Sequence, residues 1–68
     1  MNEETINMSI RTFLKKVGIK SQHEIEQTIA QAITNKKLKG NEKVPVTMTL
    51  SISQTGLKIE FEDVICLE

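Results

Sequence analysis

The first apolar positions of the chain recur at helical spacing. Ile6, Ile10, Phe13, Leu14 and Val17 fall at i, i+4, i+7, i+8 and i+11, one stripe of an α-helix. Asn2 is placed to cap its start. Glu3 and Glu4 lie in the first turn, where the helix dipole favours acids. Gly18 follows the stripe, at the position where a helix commonly ends in the left-handed conformation, and Ile19 is expected to fold back on the last turn. Ser21 and Glu24 then form an S-x-x-E capping box. Ile25, Ile29, Ala32 and Ile33 make a second stripe that runs to about Lys36. The pattern predicts one helix over about 3–17 and another over about 22–37. Gly40 and a polar loop follow, and Pro45 excludes helix continuation.

From Val44 the apolar period changes to two. Val44, Val46, Met48, Leu50 and Ile52 alternate with polar residues and Pro45. "SQTG" reads as a turn, after which Leu57, Ile59 and Phe61 alternate with Lys58, Glu60 and Glu62. A two-residue turn at Gln54-Thr55 and a four-residue loop from Ser53 to Gly56 give the same register. Either sets Ile52 opposite Leu57, Leu50 opposite Ile59 and Met48 opposite Phe61, with the apolar side chains on one face. Strands are expected over about 45–52 and 57–62. Asp63 would point to the apolar face, opposite Val46, if the second strand ran straight on. A bulge or bend near Glu62-Asp63 would turn it out and leave a short extension over 64–67. The pattern does not decide between Val64/Cys66 and Ile65/Leu67 as the inward pair.

The predicted architecture is a single α+β domain over residues 1–68, in ααββ order. A two-helix hairpin packs on a small antiparallel β-hairpin sheet. A chain of 68 residues buries only about 60% of its unfolded surface and is marginal alone. No disulfide can form within it, because Cys66 is the only cysteine, and a single thiol fits a reducing cytoplasm. No apolar run approaches the roughly 18 residues of a membrane span, and the acidic start "MNEETINMSI" is unlike a signal peptide. A soluble cytoplasmic protein is the expectation. The apolar share is 38%, with nine isoleucines, no Trp or Tyr, and only Phe13 and Phe61 aromatic. Stacking platforms for single-stranded nucleic acid need exposed aromatics and have no counterpart here.

Residues that could carry chemistry are few. His23 and Cys66 are the only histidine and cysteine, against the three or four ligands of a zinc site. The Cys66–His23 pair gains no support as a nucleophile from its spacing. Glu24 and Glu26 diverge on a helix, and Glu60 and Glu62 share the solvent face of a strand. Each glycine punctuates an element, so no phosphate loop is present. The residues predict no enzyme, no cofactor, no metal and no small-molecule substrate.

Nucleic-acid binding is the alternative. The order helix, turn, helix, hairpin resembles part of a winged helix-turn-helix domain, and Gln22, Gln27, Gln31 and Asn35 are types that read base edges. Against it stand Glu24 and Glu26 on the reading helix, one extra residue between Gly18 and Ile25, and the lack of a further supporting helix. Charge is segregated. Residues 1–43 carry eight Lys/Arg against five acids, and residues 44–68 carry one against four. Duplex binders usually show a stronger positive field. The candidate interaction surface is Lys15, Lys16, Lys20, Gln22, His23, Gln27, Gln31, Lys36, Lys37 and Lys39. Free strand edges and a marginal core favour a protein partner above nucleic acid, with a homodimer first.

The segments "MNEETINMSIRTFLKKVGIKSQHEIEQTIAQAI", "LKGNEKVPVTMTLSI" and "GLKIEFE" resemble a family of small bacterial proteins of unknown function, most specifically at "FLKKVGIKSQHEIE" and "LKG". The resemblance implies a compact bacterial domain and brings no activity, ligand or site residue.

Overall fold

A computed structural model describes all residues, Met1–Glu68. The chain forms one helix and one hairpin: α1 (Glu3–Thr34), β1 (Lys43–Ile52) and β2 (Leu57–Cys66). They belong to two compact units, Met1–Lys37 and Leu38–Glu68.

The helix starts as its first residues dictate. Asn2 is extended (φ −120°, ψ 112°), and its side-chain oxygen accepts from the Thr5 amide at 3.1 Å. Its carbonyl accepts from the Ile6 amide at 3.0 Å, opening the helical ladder. The helix then runs unbroken for 32 residues. This corrects the predicted two-helix hairpin and its ααββ order; the order is α-β-β.

The reason lies in the spacing. Val17, Ser21 and Ile25 are separated by four and four, so the two apolar stripes are one stripe on one face. A single glycine costs a helix about 1 kcal/mol relative to alanine, which does not end it when no proline follows. Gly18 is helical, and a Cβ placed on it would meet nothing within 4 Å. Ser21 is mid-helix, so it caps nothing, and Ile19 does not fold back but lies 63% exposed on the helix.

The helix ends in a Schellman motif. The Lys37 amide donates to the Ala32 carbonyl at 2.8 Å and the Lys36 amide to the Ile33 carbonyl at 3.1 Å. Lys36 occupies the left-handed position usually given to glycine, at φ 63°.

The strands form a two-stranded antiparallel sheet in the predicted register, with Ile52 opposite Leu57, Leu50 opposite Ile59 and Met48 opposite Phe61. The four-residue loop is the one adopted. Thr55 donates through its amide and its hydroxyl to the Ile52 carbonyl, at 3.2 and 3.1 Å, and its Oγ1 accepts from the Leu57 amide at 3.3 Å. Gly56 closes the loop at φ 76°. The pairing continues without a bulge to Lys43 opposite Cys66, so β2 is one strand and not a strand with a separate extension. Asp63 stands opposite Val46 on the apolar face, and its Oδ1 accepts from the Val64 amide at 2.7 Å. Its carboxylate is exposed, so no bend is required to hydrate it. Ile65 continues that face and is half-buried, whereas Val64 is 48% exposed on the other.

No side chain of the chain is buried.

Gly18→Ala is expected to stabilise the fold by about 0.5–1 kcal/mol in urea unfolding followed by far-ultraviolet circular dichroism, because the position is helical and unobstructed. A glycine ending the helix would give the opposite sign. Lys36→Gly is expected to stabilise by a similar ~0.5–1 kcal/mol, by relieving the left-handed backbone.

Candidate functional site

The predicted interaction residues fall on more than one face. At about 100° per residue, Lys16, Lys20, His23, Gln27 and Gln31 follow one another along a polar face, with Thr5, Ser9 and Thr12 before them. Lys15 and Gln22 lie on a flank of the apolar stripe instead. Gln22 Nε2 donates to Glu26 Oε1 at 2.9 Å, one turn on. Lys36 and Lys37 are the two residues of the helix stop. Lys39 belongs to the hairpin unit, where its amide is held by Glu42. The helix therefore gathers five of the ten predicted residues into one polar line.

The winged-helix comparison loses its frame, since no turn separates a first helix from a reading helix. His23 lies in the helix unit and Cys66, exposed, in the hairpin unit. No group of three or more His, Cys, Asp or Glu side chains converges to hold a metal. Depressions in the surface are shallow and open. One lies along the helix between Thr5 and Lys16, and one crosses the hairpin beside Pro45 and Asp63.

Two features carry more structure than their sequence signals suggested. The first is the continuous apolar stripe of α1. Val17, Ser21, Ile25, Ile29 and Ala32 are half-buried along it. Its N-terminal half is open, with Ile10 49%, Phe13 52% and Leu14 54% exposed. The signal that identifies it is the interval of eight between Val17 and Ile25, which keeps both on one face.

The second is the Glu42 loop. The Glu42 carboxylate accepts from the backbone amides of Lys39 at 2.8 Å, Gly40 at 2.9 Å and Asn41 at 3.2 Å. Gly40 makes the turn at φ 108°. The Glu42 carbonyl accepts from the Leu67 amide at 3.1 Å, which extends the ladder one pair beyond Lys43 and Cys66. The Lys39 and Gly40 amides hold the carboxyl below its ordinary value, a slight loss of hydration opposes them, and the amides of Glu42 and Asn41 add to the lowering. The arrangement closes the approach to β1. All three donors are already engaged with the protein's own carboxylate, so the loop does not present them to an external anion.

The family model for DUF6494, a family of unknown function, matches residues 1–68. The chain belongs to that family. No curated protein and no solved structure matches it. No helix is long and apolar enough to cross a membrane.

The lowered Glu42 carboxyl predicts a pH dependence for the hairpin unit. Its contribution is complete above the ordinary glutamate value of 4.5 and is lost as pH falls through the lower folded value. In a carbon-detected NMR titration, the Glu42 side-chain carboxyl should titrate below the ordinary glutamate value of 4.5, with the Lys39 and Gly40 amide shifts following it. Glu42→Gln should remove that titration from both amides.

Proposed function

We propose that this DUF6494 protein is a small, non-catalytic interaction protein that self-associates through the apolar stripe of α1. The observation that carries the proposal is that neither unit buries a side chain within itself, while fourteen large apolar residues are exposed.

Ordering a residue costs about 1–2 kcal/mol of backbone entropy. Burial of apolar surface, at about 25 cal/mol per Å², is the main term that offsets it. Caps and stops contribute about 1 kcal/mol each and cannot replace that term. Most helical stability in proteins comes from packing an amphipathic face, and isolated two-stranded hairpins are marginal in water. A second chain laid on the stripe would supply the missing burial. Self-association needs no further gene product, and symmetric dimers are the commonest assembly of soluble chains. A reducing cytoplasm suits the proposal, since it leaves the exposed Cys66 thiol free.

Sedimentation velocity over a wide range of concentrations tests the proposal. A dimer or larger assembly is expected, with helical circular dichroism falling as the protein is diluted below its dissociation constant. A folded monomer at every concentration would sink it. Ile25→Asp, in the middle of the stripe, should raise the dissociation constant by more than about tenfold, because it sets a charge in the interface. Thr12→Asp, on the opposite side of the helix, should leave it nearly unchanged.

A further inference from the structure

We infer that the two copies pair antiparallel along α1, about a two-fold axis that passes near Ser21; this rests on self-association through the stripe, proposed above. The stripe runs from Ile6 to Ile33, so its midpoint falls between Gly18 and Ser21. Both are small, and a Cβ on Gly18 would meet nothing within 4 Å. The bulky side chains lie to either side. Two such helices approach closest at their middles when the small residues of each meet the other. An antiparallel pair then sets Val17 beside Ile25 of the second copy.

Charge points the same way. The N-terminal end of α1 carries Glu3 and Glu4 in its first turn. Its C-terminal end is followed directly by Lys36 and Lys37. An antiparallel pair brings the acidic end of each helix to the basic end of the other, and it opposes the helix dipoles as well. A parallel pair would set acid beside acid at one end and lysine beside lysine at the other. Along the flanks, antiparallel packing joins like flank to like flank. Lys15 and Glu26 share one flank and come opposite one another across the axis. Lys20 and Glu24 share the other and also face across it. Lys20, one residue from the axis, also faces its own copy at a similar offset, so the Lys15–Glu26 pairs are the flank contacts that favour this arrangement. The helix is about 48 Å long at roughly 1.5 Å per residue.

Cysteine cross-linking tests the geometry in the full chain carrying Cys66→Ser. Ser21→Cys should convert to a disulfide-linked species of twice the chain mass on mild oxidation, whereas Thr12→Cys, on the far side of the helix, should not. Val17→Cys alone should not link to itself, and a mixture of Val17→Cys with Ile25→Cys should. Self-linking of Val17→Cys would establish a parallel pair and overturn the inference. Failure of Ser21→Cys to link, in a protein that still sediments as a dimer, would place association on another surface and overturn it too, while leaving self-association standing. A monomer by sedimentation would remove both.

Discussion

The apolar stripe of α1 has only its own helix to lie against within its unit. Its N-terminal half, through Ile10, Phe13 and Leu14, is about half open to water. Backbone hydrogen bonds hold the helix together, but they exchange bonds with water at small net gain. The Asn2 cap and the Schellman stop at Lys36 decide where the helix begins and ends. Neither decides whether it persists. That depends on removing the stripe from water, and a helix of 32 residues has a great deal of stripe to remove. The hairpin has the same requirement in milder form. Its apolar face, from Val44 to Ile65, has four half-buried members and none buried.

What each unit does supply for itself is closure. At the hairpin tip, Thr55 binds the Ile52 carbonyl twice and receives the Leu57 amide, while Gly56 takes the left-handed position. At the open end, Glu42 gathers three backbone amides on its carboxylate and uses its carbonyl to add a last rung with Leu67. These devices fix register and ends. Local polar closure of this kind is strong in the chain, and apolar burial is weak.

The sheet was legible in the sequence because alternation leaves little freedom. A slip of one residue would have turned Met48, Leu50 and Phe61 to the polar face, so only one register kept them together. Asp63 misled in the other direction. Its place on the apolar face looked like a reason for a bulge, yet a face open to water tolerates a carboxylate, and β2 runs straight. The helix was misread at Gly18 and Ser21. Both residues have a common meaning at helix ends, and both also fit a helix interior at modest cost. Periodicity should have outweighed them, since Val17 and Ile25 share a face only if the helix continues. Of the candidate surface, Lys16, Lys20, His23, Gln27 and Gln31 lie along one helix, where the pattern divided them between two. Lys36, Lys37 and Lys39 turned out to be parts of a helix stop and a loop.

The two faces of α1 are separate enough to serve separate contacts. The stripe occupies one side, and Lys16, His23 and Gln27 lie away from it on the other. The helix unit carries six basic residues against four acidic, and the hairpin unit three against five. A pair formed on the stripe, as proposed, would leave the lysine face outward in both copies and double it. Those faces point to opposite sides of the pair, so each would meet an acidic surface separately, without the avidity of two sites. A charged contact there would not compete with self-association. Salt would screen it and would also weaken the charge pairing between the two helices, whereas burial of the apolar stripe is not screened.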